Sequence, residues 1–126
     1  MFAQVELGAC DAAPAPSAEV LKAEQALDRA DVNMSRVYLN AIERKSPEQR
    51  IHFHYLSAEW NLLSGRPEAA ASLFNQVYQV CPDYHPDLRY KLGALWAGQG
   101  RQADAERLLK EFLAGAPTGS PFVAEA

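Results

Sequence analysis

A pattern thirty-five residues long returns along this chain and limits it to stacked, repeating units. Gly65-Arg66-Pro67-Glu68-Ala69-Ala70 and Gly100-Arg101-Gln102-Ala103-Asp104-Ala105 share their glycine, arginine and second alanine at one offset. At that same offset Phe74 pairs with Leu109, Val77 with Phe112, Pro82 with Pro117, Phe53 with Leu88 and Tyr55 with Tyr90. One step further back, Leu39, Ile42 and Pro47 fall under Phe74, Val77 and Pro82, while Ala30 falls under Gly65, so this earlier unit is degenerate. A unit this short cannot bury its apolar side alone, and stacking against its neighbours is what closes the core.

Each unit reads as two helices joined by a tight turn. Ser46-Pro47-Glu48-Gln49 is a helix start, with Ser46 as N-cap, proline in the first turn and Gln49 placed to reach back in a capping box. That helix is predicted to run to about residue 64, where Gly65 supplies the left-handed ending and Pro67 opens a helix to about 79. Pro86-Asp87 opens the next, to about 97–99, and after Gly100 a helix is predicted over 102–114. Ala105, Leu108, Leu109 and Phe112 lie on one face of it. The first pair is placed at about 18–29 and 33–45. The predicted fold is therefore all-α, a short solenoid or α-α superhelix of about three helix-turn-helix repeats, the first degenerate. Residues 1–16 are expected to be a flexible leader, 17–117 the repeat domain and 118–126 a tail.

The last unit resembles the tetratricopeptide repeat: Leu92-Gly93, Trp96 in the aromatic slot, Gly100 at the turn, Ala105 and Leu109 on the second helix, and Pro117 at the close. The middle unit keeps Gly65, Ala70, Phe74 and Pro82 but has Ser57-Ala58 and Asn61 where the Leu-Gly pair and the aromatic belong. The match is good over 51–117 and poor over 16–50, where Sel1-like or other helical-hairpin repeats stay open. The resemblance implies a binding module (adaptor, scaffold or chaperone, bacterial in type) whose first helices line a concave groove for a protein or peptide partner. It implies groove positions at His52, Tyr55, Glu59, Leu62 and Leu63, at Asp87, Tyr90, Ala94 and Ala97, and at Val20, Glu24, Leu27 and Asp28. Such a groove is aromatic and acidic, and Glu24, Asp28, Glu59 and Asp87 would favour a partner with a basic segment. The alternative for Tyr55 and Tyr90 is packing between units. Chaperone-docking repeats clamp a carboxylate with Lys, Asn and Arg, whereas the corresponding places here hold Tyr55, Glu59 and Ala94, with Lys91 and Arg89 nearby.

Only a short tail follows the sixth helix, too short for a capping helix. Leu108, Leu109, Phe112 and Leu113 thus form a candidate self-association band, and the alternative function is a structural homo-oligomer or homodimer assembled through it.

Composition narrows the rest. A net charge of -4 with scattered Lys and Arg disfavours nucleic acid as a partner, and no apolar run is long enough for a membrane span. No cofactor is implied: the sequence has no Gly-rich phosphate loop, and Cys81, Ser57 and Ser64 lack motifs for nucleophilic catalysis, so no enzyme is expected. His52 and His54, two apart on a helix, do not share a face for one metal ion, and with His85 they read as surface histidines. Cys10 and Cys81 make neither a disulfide framework nor a metal knuckle, and Cys81 reads as a half-buried apolar filler. A cytoplasmic setting is expected. Leu7-Gly8-Ala9-Cys10 nevertheless resembles a lipobox, so a native start upstream of Cys10 would imply a periplasmic or lipid-anchored protein.

Overall fold

The computed structural model describes residues 15–45 and 49–115, without the side chains of 43–45 and 115. The described residues form six α-helices: α1 (Ala18–Asp28), α2 (Val32–Lys45), α3 (Arg50–Leu63), α4 (Pro67–Val80), α5 (Leu88–Gly98) and α6 (Gln102–Gly115). Consecutive helices pair as three antiparallel hairpins, α1/α2, α3/α4 and α5/α6, which stack in chain order through α2 on α3 and α4 on α5. This is the predicted all-α repeat superhelix.

The three hairpin turns are the same turn. Gly65 and Gly100 have positive φ, 78° and 83°, and so does Ala30 at 56°. In each, the left-handed residue donates its N–H three residues back, Ala30 to Leu27, Gly65 to Leu62 and Gly100 to Ala97. The following residue donates five back, Asp31 to Ala26, Arg66 to Asn61 and Arg101 to Trp96, at 2.8 to 2.9 Å. These bonds satisfy the last carbonyls of α1, α3 and α5. The degenerate first unit has therefore lost the glycine and kept the geometry.

The core repeats as well. Ala23, Ala58 and Gly93, at equivalent places in the first helices, are all buried. A Cβ built on Gly93 would stand 3.2 Å from Leu109, so here the helices approach closely. Opposite them Leu39, Phe74 and Leu109 fill the space within each hairpin, with Ile42, Val77 and Phe112 one turn on.

The start of α3 departs from expectation. Ser46, Pro47 and Glu48 lie outside the described residues, and the α-helix begins at Arg50. Gln49 does not serve a capping box: its Oε1 accepts from the Ser17 N–H at 3.1 Å and its Nε2 donates to the Ala15 carbonyl at 3.1 Å. Its amide thus ties the entry of α1 to the entry of α3. Ser17 itself caps α1 by accepting from the Val20 N–H.

Cys81 also corrects the sequence reading. It is fully buried at the end of α4, and it is disulfide-bonded rather than a free apolar filler. The one other cysteine in the sequence, Cys10, lies outside the described residues.

The two junctions between hairpins differ. α1 lies directly against α3, whereas α3 and α5 stand further apart. Between them sit the rings of Tyr84 and His85 from the connection after Cys81, both packed on Tyr55 of α3 at 5.1 Å between centroids.

Candidate functional site

The first helices of the hairpins present a cleft of about 270 Å³ lined by Glu24 and Asp28 of α1, Tyr55, Leu56 and Glu59 of α3, His85, and Lys91 of α5. A second cleft of about 180 Å³ shares Asp28 and Glu59 with it and continues to Leu27, Leu62 and Leu63. Together they make one groove, acidic at one end and apolar at the other. Its residues recur at three- and four-residue spacing on α1 and α3 because those spacings share a helix face.

At the acidic end the polar groups are ordered by burial. Tyr55 is 3% exposed, and its ring rests edge-on against Phe74 and stacks on His85. Its hydroxyl accepts from Lys91 Nζ at 2.9 Å, and the same ammonium is ion-paired with Glu59 at 2.8 Å. Burial drives the Tyr55 phenol far above its ordinary range, and the Glu59 charge adds to this. Tyr84 is raised for the same reason, with Glu24 and Glu59 adding to burial. Its hydroxyl is hydrogen-bonded to His52 Nδ1. Burial lowers His85, helped by Lys91, so the imidazole is held neutral against Tyr55 while its Nδ1 accepts from the Asp87 N–H. Burial raises Glu24, and Asp28 and Glu59 add to the rise against the opposing pull of His52. Among the described residues neither Glu24 nor Asp28 is ion-paired or hydrogen-bonded through its side chain. Among the described residues these two carboxylates therefore face the groove unpaired, while Lys91, which lines the same cleft, is held by Glu59.

The structure sorts the positions that the resemblance implied. Glu24, Asp28, Tyr55, Glu59 and Leu62 converge on the groove, with Leu27 and Leu63. Tyr55 and His52, however, serve it as buried support: His52 is 8% exposed and held by Tyr84, so it is not a surface histidine. Val20 is fully buried in the core and offers no groove surface. Asp87 precedes α5 beside His85, and Tyr90 packs on Phe112 with 5.6 Å between centroids, so neither lines these clefts. His85 and Lys91 were missed as groove residues, with Tyr84 packed on Tyr55 beside them; a signal was present, since an aromatic pair in a connection between hairpins has no role in the repeat itself.

The bases nearest to a carboxylate clamp are already committed. Lys91 is held by Glu59, and Arg89 pairs with Asp83 and Glu111, both at 3.0 Å, and donates to the Pro82 carbonyl. Glu111 also accepts from the Tyr78 hydroxyl at 2.8 Å. Burial alone would raise the Glu111 carboxyl, but the bonds from Tyr78 and Arg89 outweigh it and hold it low. This knot joins α4, α5 and α6 beside a cleft of about 550 Å³ lined by Asp83, His85, Pro86, Arg89, Glu111, Phe112 and Ala114. Of the four residues considered for self-association, Leu108 and Phe112 are buried, Leu109 packs beside Gly93, and Leu113 is 43% exposed.

Among the described residues no helix is long and apolar enough to cross a membrane, and no three His, Cys, Asp or Glu side chains are grouped to hold a metal ion. A profile of the tetratricopeptide repeat matches residues 61–121. No curated protein and no solved structure matches the chain. The matched span covers the α3/α4 turn, all of α4, α5 and α6, and the two glycine turns; the first hairpin continues the same turn geometry outside it. Over residues 61–121 the chain is similar to the tetratricopeptide repeat.

Proposed function

We propose that this protein is an adaptor or scaffold that holds an extended segment of a partner protein in the groove between α1 and α3, taking a Lys or Arg side chain at Glu24 and Asp28 and an apolar one at Leu27, Leu62 and Leu63. The tetratricopeptide repeat is a protein-interaction module, and the finer reading rests on one observation: the groove runs from two unpaired carboxylates to exposed leucines. A cation seated there would relieve the cost of burying Glu24 and gain a charge-assisted hydrogen bond. In an extended chain, neighbouring side chains on one face are about 7 Å apart, which suits a basic residue followed two positions later by an apolar one.

The test is fluorescence anisotropy with labelled peptides carrying Lys-Ser-Leu or Arg-Ser-Leu, against the same peptides with Gln for the base. Glu24→Gln with Asp28→Asn is expected to weaken the basic peptides about tenfold and leave the Gln peptides unchanged. Equal binding of both peptide types by the unaltered protein would remove the charge assignment. The double substitution is preferred to Tyr55→Ala, because Tyr55 is core and its loss would unfold the groove.

A further inference from the structure

About 100° round α3 from Glu59, on the flank turned towards α2, lies a second arrangement that the groove does not use. Trp60 is half-buried there, its Nε1 donating to the Val32 carbonyl at 2.9 Å. Two guanidinium groups stand against its ring, Arg36 of α2 at 5.2 Å from the centroid and Arg66 of the α3/α4 turn at 5.3 Å. Both arginines are exposed, and among the described residues neither has an ion pair or a hydrogen bond through its side chain.

The repeat supplies an internal reference. Arg101 occupies in the last hairpin the place that Arg66 occupies in the middle one, and it too lies over a tryptophan, 4.0 Å from the Trp96 ring. Arg101 is neutralised by Asp104, with Nε at 3.0 Å and Nη2 at 2.7 Å from one carboxylate oxygen. The equivalent of Asp104 in the middle hairpin is Ala69. Where the last unit has an arginine with its carboxylate, the middle unit has Arg66 with Ala69 in the carboxylate's place, and Arg36 of the first hairpin joins it over Trp60. Contact with the indole face orients each guanidinium while leaving its N–H donors open.

We propose that Arg36 and Arg66, oriented by Trp60, form a docking point for carboxylates of an acidic peptide segment of a partner protein. The partner's carboxylate takes the place of the absent acid, accepting from Arg66 as Asp104 accepts from Arg101, and Arg36 on the same indole supplies a second set of donors. The site does not rest on the groove reading, and it selects the opposite charge. Because the whole chain carries -4, capture of an acidic segment here has to be local rather than a consequence of net charge.

The test uses a labelled peptide of alternating Glu and Ser, with a Gln-Ser peptide as uncharged control, titrated by anisotropy at low salt. The acidic peptide is expected to bind and to weaken with rising salt. Arg36→Gln and Arg66→Gln are each expected to cost about threefold and the pair together about tenfold, while Arg101→Gln leaves binding unchanged. Arg36→Lys with Arg66→Lys keeps the charge and loses the forks, and is expected to fall between. Circular dichroism of each variant verifies the fold, and the lysine pair carries the test if the glutamine pair does not fold. No preference for the acidic over the Gln peptide, or equal loss in Arg101→Gln, would overturn the proposal.

Discussion

The first and second hairpins make the same turn from different materials. In the second, Gly65 takes the positive φ without a side-chain penalty, and a Cβ there would meet nothing within 4 Å. In the first, Ala30 takes that conformation with its Cβ against the following carbonyl, at a cost of roughly 1–2 kcal/mol. The first hairpin compensates locally. Asp31 accepts from the Met34 N–H at 3.0 Å and caps α2, whereas Arg66, at the equivalent place before α4, gives no side-chain cap. A turn that looks lost in the sequence is thus held by the helices on either side of it, by the cap, and by Gln49 joining the entries of α1 and α3.

Core truncation is the most forceful way to break the comparison. Phe74→Ala in the second hairpin is expected to cost about 3–5 kcal/mol, and Leu39→Ala, its counterpart in the first, about 2–5 kcal/mol. If the degenerate hairpin belongs to one cooperative stack, both variants show a single urea transition with an unchanged slope. A separate early transition in Leu39→Ala would show that the first hairpin folds as an appendage.

Next come the turns, where the signs oppose. Gly65→Ala is expected to destabilise by about 1 kcal/mol through conformation alone, while Ala30→Gly is expected to stabilise by about 0.5–1 kcal/mol. The same sign for both in denaturant titrations would mean that the two turns are not equivalent in solution. Asp31→Ala removes the cap present only in the first hairpin's turn and is expected to cost about 1 kcal/mol.

These contrasts show what the sequence could and could not carry. The helices were legible because proline, glycine and apolar spacing act within one turn of chain, and α4 was placed to within a residue. Ala30 was placed at the turn by its offset from Gly65, but its positive φ was not legible, since that conformation is imposed by Ala26 and Leu27 accepting the turn's hydrogen bonds. Glu24, Asp28 and Glu59 were placed in the groove by the register of the repeat. His85 and Lys91 were not, because they reach it from the connection and from α5 across the gap that separates α3 from α5. His52 was placed in the groove and lies beneath it, and Tyr55 lines it but is nearly covered, since the register says which way a side chain points and not whether a loop will cover it. That Cys81 is disulfide-bonded is likewise something that spacing does not report.

The smallest expected effect lies at that covering loop. His85 is held below its ordinary value by burial and by Lys91, so the folded protein binds its proton less readily than the unfolded chain. As pH falls through about 6.5 the unfolded chain takes up the proton first, and stability declines from there towards the folded value; above that range the term is constant. Glu24, with its carboxyl raised, works in the opposite sense: the folded state protonates first, so stability gains as pH falls. The two are therefore separable. Urea denaturation between about pH 7 and pH 5.5 is expected to show declining stability in the unaltered protein and a shallower decline in His85→Gln. Since Ala30 and Asp31 lie in the first turn, away from the second junction, the same slope should persist in Ala30→Gly and Asp31→Ala. A slope unchanged by His85→Gln would remove His85 as its source and, with it, the account of the second junction as closed by a neutral imidazole on Tyr55.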